Sequence, residues 1–102
     1  MYLIQAFLPL HDETGNRFPH EQYVEVEREL VSRFKGFTAY PRMPASGQWK
    51  DSDANLERDE LVIYEVMSDA QNAQWWKEFR KSLEERFRQE KILVRSQRVE
   101  LL

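Results

Sequence analysis

Residues 60–67 read ELVIYEVM, and this run decides the fold. Its two alternating sets of side chains are both mostly apolar, which is typical of a strand at the centre of a sheet, where both faces are covered. Glu65 makes one set the more polar of the two, and it shares that set with Leu61, Ile63 and Met67. The sequence therefore predicts a central strand with a carboxylate on one of its sides.

Residues 2–8, which read YLIQAFL, repeat this pattern. Both alternating sets of side chains are again mostly apolar. The set that contains Gln5 is the more polar one, and it also contains Leu3 and Phe7. The strand should end at Pro9, because proline cannot donate a ladder hydrogen bond. The chain thus offers two central strands, each with one polar side chain near its middle.

Two amphipathic helices are predicted between the strands. The first begins near Pro19, which suits the first turn of a helix, and ends at Gly36. The second follows Ser68 and Gln71, whose spacing resembles a capping box, and runs for about five turns to residues 89–91. Apolar residues recur at helical spacing in both segments, so each helix has one face to bury.

The two remaining strands belong at the edges of the sheet. Residues 37–43 contain Pro41, which lacks the N–H that an interior strand needs, and residues 92–99 alternate as a final strand. The resulting order is that of the ferredoxin-like βαββαβ plait, and right-handed crossovers put its first and third strands at the centre. We therefore predict an α+β fold, with a four-stranded antiparallel sheet and two helices on one face, as a single domain over residues 1–102.

Since both helices of a plait lie on one side, the other side of the sheet is left open. We assign to this open face the more polar set of each central strand and the matching set of the last strand. The predicted residues are Leu3, Gln5, Phe7, Leu61, Ile63, Glu65, Met67, Arg95 and Gln97. Apolar patches of more than a few hundred Å² are uncommon on soluble monomers, so we expect a homodimer in which this face is covered by its copy.

The polar residues of the open face form the candidate site. We expect four of them, joined by Tyr40 or Arg42 from the edge strand, to converge in a half-closed cavity, namely Gln5, Glu65, Arg95 and Gln97. In one interpretation Glu65 and Arg95 are a structural ion pair at the interface. In the other, Glu65 is a catalytic base, and Arg95 and Gln5 anchor a substrate. A cavity of about 300 Å³ or more over Glu65 would favour a ligand or a substrate.

The three tryptophans have different predicted surroundings. On the second helix, Trp76 falls on the buried stripe and Trp75 on its flank, where it either covers the edge of the core or meets a partner. Trp49 lies in a long polar connection and needs apolar cover for its indole. That cover could be the sheet edge, the second copy of the chain, or a bound ligand, and Trp49 is therefore a candidate residue of a ligand-binding loop.

Composition narrows the possible partners. The 18 acidic and 15 basic residues give a net charge of −3, so the chain lacks the basic field that holds nucleic acid. It has no cysteine, and His11 and His20 share no helical face, so no metal site is expected.

The three glycines are isolated, which excludes the glycine-rich nucleotide loops, and we expect no cofactor. No apolar run reaches about 18 residues, so we expect a cytoplasmic protein without membrane contact.

Strand order and an apolar open face are similar to those of the dimeric α+β barrel proteins, a superfamily of plait dimers that includes small monooxygenases, isomerases and dehydratases. Residues 57–67 and 87–95 also resemble a bacterial family of small proteins to which no activity is attached. The resemblance covers most of the chain as topology and supplies no catalytic motif. It implies a homodimeric plait.

Two functional hypotheses follow from these observations. The first is a homodimer that binds a small, partly apolar molecule or serves as an assembly module. The second is a cofactor-independent enzyme, an isomerase or monooxygenase, with Glu65 as its base. The space above Glu65 separates them, because a dry interface leaves no room for a substrate.

Overall fold

The computed structural model describes residues 1–42 and 60–102 of the chain. The elements are, in chain order, β1 (Tyr2–Pro9), α1 (His20–Phe34), β2 (Thr38–Arg42), β3 (Leu61–Ser68), α2 (Ala73–Arg86) and β4 (Val94–Arg98). The strands form a four-stranded antiparallel sheet in the order β2-β3-β1-β4. The predicted βαββαβ plait is therefore confirmed, with β1 and β3 at its centre and the proline-containing β2 at an edge.

The hydrophobic core lies between the sheet and the two helices. One of the two alternating sets of side chains on each central strand forms the sheet side of the core. Three buried residues of each helix form the other side. The contributing residues are Ile4, Ala6, Leu8, Tyr64 and Val66 from the strands, and Tyr23, Val26, Leu30, Trp76, Phe79 and Leu83 from the helices. Because paired and alternate strand residues share a face, both helices cover the same side of the sheet.

The register of the strands aligns the polar residues of the open face. Gln5 of β1 lies opposite Glu65 of β3 and opposite Arg95 of β4, so the three residues form one row across the sheet. Tyr40 of β2 lies opposite Ile63, two positions from Glu65 on the same strand. Directly opposed residues of an antiparallel pair point to the same side, so these side chains meet on the open face.

The predicted start of α2 is wrong. Asn72, in the left-handed conformation with φ 54°, directly precedes the helix, and Ser68 does not. Ser68 still pairs with β1, and its hydroxyl donates to the carbonyl of Ala70 at 2.7 Å. The amide of Gln71 donates to Ser96 Oγ at 2.9 Å instead of returning to Ser68. The strand thus extends through the position of the expected cap, and the helix begins later.

Both helices also end before the predicted residues. Lys35, at φ 69°, takes a left-handed conformation one residue before Gly36, and its N–H donates to the carbonyl of Val31 at 2.9 Å. The second helix stops at Arg86 because Phe87 turns into the core. Phe87 is fully buried there, and its ring meets the edge of Phe18 at a centroid distance of 5.1 Å.

Polar contacts join the helices to each other and to the sheet. Arg86 of α2 forms two hydrogen bonds to the carboxylate of Glu29 on α1, at 2.6 and 2.8 Å. The Tyr64 hydroxyl donates to Glu27 on α1 at 2.8 Å, which connects β3 to that helix. Within residues 1–42 and 60–102, neither helix has the length and apolar character that crossing a bilayer requires.

Candidate functional site

A hydrogen-bonded network of four side chains lies on the open face. Oε1 of Glu65 accepts one hydrogen bond from the Tyr40 hydroxyl, at 2.7 Å, and another from the amide of Gln5, at 2.5 Å. The Gln5 amide also lies 3.2 Å from the Tyr40 hydroxyl. On the other side, Nε of Arg95 donates to Oε1 of Gln5 at 2.8 Å. The network therefore crosses all four strands of the sheet.

Gln5 separates the two charged members of this network. Its amide nitrogen donates to Glu65, and its amide oxygen accepts from Arg95, so the contact between the two charges is indirect. Glu65 and Arg95 therefore form no direct ion pair within one chain, and an ion pair between two copies stays a prediction. The reason is the strand order, because β1 lies between β3 and β4 and places Gln5 in the middle of the row.

Two apolar side chains of the open face are buried next to the network. Phe7 is 7% exposed and Ile63 is 4% exposed, and they lie opposite each other on the central strands. The guanidinium carbon of Arg95 lies 5.0 Å from the centroid of the Phe7 ring, a cation–π distance. The guanidinium of Arg95 thus lies over the Phe7 ring while its Nε donates to Gln5.

Other apolar side chains of this face remain exposed. Met67 is 46% exposed at one end of β3, opposite the half-buried Leu3, which in turn lies opposite the exposed Gln97. Leu93 is 51% exposed, and its carbonyl accepts the N–H of Phe7 at 3.0 Å. The alternation of β4 puts Leu93 on the open face as well, although the sequence analysis did not assign it there.

The hydrogen bond to Glu65 changes the acidity of Tyr40. It is the largest of the effects that raise the pKa of Tyr40 above 10.0, and partial burial and the charge of Glu65 raise it further. The physical cause is that ionising the hydroxyl would remove the donor and place a phenolate beside a carboxylate. Tyr40 is therefore held as a neutral proton donor.

Several polar atoms of the network have no hydrogen-bond partner among residues 1–42 and 60–102. Both hydrogen bonds to Glu65 go to Oε1, so Oε2 accepts none from the residues that the structure describes. Arg95 uses Nε, and its two terminal nitrogens donate to no described residue. The row therefore presents an acceptor at one end and a pair of donors at the other, with Gln5 between them.

A cavity of about 180 Å³ lies on the helix side of the sheet, and Glu65 does not line it. The expectation of a half-closed cavity over Glu65 stays a prediction. Trp49 lies outside the described residues, and so does the side chain of Arg42.

The described residues offer no metal centre. Within residues 1–42 and 60–102, no group of three or more histidine, aspartate and glutamate side chains comes together. His11 and Glu60 approach each other to 3.9 Å, and both are partly exposed.

Comparison with known proteins supports the fold. Neither the sequence families nor the curated proteins contain a match to this chain. Among solved structures, a phage SAM lyase in complex with S-methyl-5'-thioadenosine has a similar fold, with a TM-score of 0.55 over 94% of this chain and 79% of that one. At 16% identity, this likeness concerns the arrangement of strands and helices.

Proposed function

We propose that the chain is a homodimeric plait whose two open faces pack together and enclose a site for a small, partly apolar molecule. The observation that carries the proposal is the network of Tyr40, Glu65, Gln5 and Arg95 on a face that is otherwise apolar. Hydrogen-bonded charged groups among apolar side chains are typical of ligand sites. The phage SAM lyase supports the proposal to the extent that its fold accommodates a small ligand.

Charge complementarity makes a second copy of the chain suitable as the cover. The row carries an available acceptor at Glu65 and available donors at Arg95, on opposite sides of Gln5. A two-fold axis that runs along β1, between two stacked sheets, places Arg95 of one copy above Glu65 of the other. The same operation makes the reverse contact, as an isologous interface requires. Burial of Met67 and Leu93 would add apolar area to these contacts.

The same network defines the ligand class. Glu65 Oε2 suits a cationic or hydroxyl group, the terminal nitrogens of Arg95 suit a carboxylate, and Phe7 offers an aromatic surface beside them. A molecule with groups of both kinds on a short apolar body would use all of these contacts. In the proposed dimer, the ligand and the second copy of the chain compete for Glu65 Oε2 and the terminal nitrogens of Arg95. The ligand can therefore bind only to those of these atoms that the second copy does not contact.

Sedimentation at micromolar concentration tests the assembly. The wild-type protein should sediment as a dimer, and Met67→Lys should sediment as a monomer, because its ammonium would be desolvated in the interface. Val31→Lys is the matched control, since Val31 is 47% exposed on α1 and Met67 is 46% exposed on the open face. A monomeric wild type, or equal effects of the two variants, would contradict the proposal.

A second candidate is a cofactor-independent enzyme of the isomerase or monooxygenase type, with Glu65 as its base. The contact that favours it is the 2.7 Å hydrogen bond between Tyr40 and Glu65, which puts a proton donor beside a carboxylate. If it is correct, Glu65→Gln abolishes turnover of a substrate found by metabolite screening and leaves the assembly intact. Turnover that survives Glu65→Gln would exclude Glu65 as the base.

A further inference from the structure

The strand β4 is an edge of the sheet, and two ladder contacts show which of its residues hydrogen-bond with β1. The N–H of Phe7 donates to the carbonyl of Leu93 at 3.0 Å, and the N–H of Val99 donates to the carbonyl of Met1 at 2.9 Å. Bonded and non-bonded pairs alternate along an antiparallel ladder, so residues 93, 95, 97 and 99 direct their backbone groups towards β1.

The residues between them direct their backbone groups the other way. Val94, Ser96 and Arg98 point their N–H and C=O groups outward, and no strand of the described residues pairs with that side of β4. The last four residues of β4 are exposed. Three outward residues can each exchange two hydrogen bonds with an added antiparallel strand, so this edge can pair with a segment of about five residues.

The two edges of the sheet differ in how readily they can accept another strand. Proline on an edge strand hinders pairing because it has no N–H, and β2 contains Pro41. The sequence of β4 is VRSQR, without proline or glycine. The backbone of β4 is therefore the one that remains competent to pair along its whole length.

Positive charges lie on both sides of this edge. Arg95 is on the open face, whereas Arg98 lies opposite Tyr2, which packs against the core, and is therefore on the helix side. Lys77 and Arg80 of α2 line the cavity of about 180 Å³ beside α2 together with residues of β4, and that lining contains no aspartate or glutamate.

These charges favour one kind of added strand. A second copy of β4 would bring its own two arginines to the same edge, and like charges on neighbouring strands are destabilising. Glu84 lies 3.8 Å from Nε of Arg80 and offsets part of the charge on the helix side. Carboxylates on an incoming strand would meet the remaining cations on both faces.

We infer that the outer edge of β4 binds an extended acidic peptide segment of another protein, which adds a fifth strand to the sheet. Its backbone pairs with Val94, Ser96 and Arg98, as in other cases of strand addition to a sheet edge. Its acidic side chains lie beside Lys77 on the helix side or beside Arg95 on the open face. The inference does not depend on the proposed dimer, because the hydrogen bonds are made at the edge of the sheet and not on the open face.

Nuclear magnetic resonance of the ¹⁵N-labelled protein tests this inference. The probe is a five-residue peptide of alternating glutamate and valine, capped at both ends, and it is titrated to about 5 mM because a segment of this size should bind with a dissociation constant near 1 mM. The backbone N–H signals of Val94, Ser96 and Arg98 should shift saturably, whereas those of Arg95 and Gln97, which already bond to β1, should shift less. The same peptide with lysine in place of glutamate should not bind.

Two substitutions at one position separate backbone pairing from side-chain effects. Ser96→Pro removes an outward N–H and should weaken binding at least tenfold. Ser96→Ala keeps that N–H and should bind within about twofold of wild type, although it too loses the hydroxyl that accepts from Gln71. Proline is tolerated on an edge strand where the N–H faces solvent, and the spectrum reports whether the variant is folded.

Methylation of the peptide nitrogens makes the same comparison without changing the protein. Successive N–H groups of a strand point to opposite sides, so methyl groups on the first, third and fifth nitrogens and methyl groups on the second and fourth should differ. One of the two sets should abolish binding and the other should preserve it.

Four results would overturn the inference. They are the absence of any shift with the glutamate peptide, equal binding of the lysine peptide, equal binding by Ser96→Pro and Ser96→Ala, and equal effects of the two methylation sets. Sedimentation adds a fifth. If Ser96→Pro converts a dimeric wild type into a monomer and Ser96→Ala does not, the edge binds a second copy of the chain instead of an acidic peptide.

Discussion

The Tyr40 hydroxyl donates to Oε1 of Glu65 across 2.7 Å, and this contact ties the edge strand β2 to the polar residue of β3. Because Glu65 also accepts from Gln5, one carboxylate oxygen holds side chains from the two strands that flank β3. The contact needs a protonated phenol, and the charge of the carboxylate strengthens it. Its behaviour with pH and with substitution is therefore informative about the site.

The first prediction concerns the titration of Tyr40. Its pKa is raised in the folded protein, chiefly by the hydrogen bond to Glu65, so the stabilisation is fully present below pH 10.0 and is lost as pH rises through the folded-state value. Glu65→Gln should move the Tyr40 titration down. The titration of Tyr40 is measured by absorbance at the phenolate band. For the wild type and for Glu65→Gln, the absorbance of the same protein with Tyr40→Phe is subtracted. Glu78→Gln, which changes an exposed carboxylate on α2, should have no effect.

The second prediction separates the charge of Glu65 from its hydrogen bonds. An amide at this position can still accept from Tyr40 and Gln5, so Glu65→Gln should change the free energy of unfolding by less than about 1 kcal/mol. Glu65→Leu leaves both donors without an acceptor and should cost about 1 kcal/mol more than Glu65→Gln. Urea denaturation at one fixed protein concentration compares the two. A larger loss in Glu65→Gln would mean that the charge itself stabilises the fold.

The third prediction concerns the residue that ends α2. Phe87 is fully buried, and its ring contacts those of Phe18 and Tyr23 at centroid distances of 5.1 and 5.3 Å. Phe87→Ala should lower the free energy of unfolding by about 3–5 kcal/mol, because it removes a ring and leaves a cavity. Val31→Ala, at an exposed position of α1, should stay within about 0.5 kcal/mol. Similar losses in both variants would show that Phe87 is not part of the core.

The fourth prediction concerns stability at alkaline pH. Burial raises the pKa of Tyr23 to about 12, and burial with the hydrogen bond to Glu27 also raises that of Tyr64. Both values exceed the ordinary 10.0, so the protein should lose stability as pH rises from 10.0 towards 12. Tyr64→Phe should be less stable than wild type at neutral pH but lose less between those limits. Midpoints of urea denaturation, measured for both proteins between pH 10.0 and 12, test this prediction. The prediction is wrong if the midpoints of the two proteins fall in parallel as the pH rises.

Much of the fold could be predicted because side chains alternate along a strand with a period of two. That period put Gln5 and Glu65 on the face away from the helices, and it put Ile4 and Tyr64 in the core. It could not predict the register, since a shift of two residues preserves the alternation. The position of Gln5 between Glu65 and Arg95 is a consequence of pairing between strands that are distant in the sequence.

The cavity beside α2 lay beyond sequence reasoning for a different reason. Trp76 could be placed on the buried face of its helix, but Ile4 and Val94, which line the cavity with it, come from strands that are distant in the sequence. The predicted start of α2 was wrong because the spacing of Ser68 and Gln71 describes only one turn of the chain and not the strand that precedes it. Pairing of Ser68 with β1 extends the strand through that turn.

The central position of β1 has a consequence for the order in which the molecule assembles. It comes before both of its neighbours in the chain, since β3 and β4 begin about 60 and 90 residues later. Most of its ladder hydrogen bonds therefore close very long loops, and such pairings form slowly. Until β3 emerges, β1 is an unpaired apolar segment in a growing chain. The period of greatest exposure to misassembly thus falls before residues 61–68 have been made.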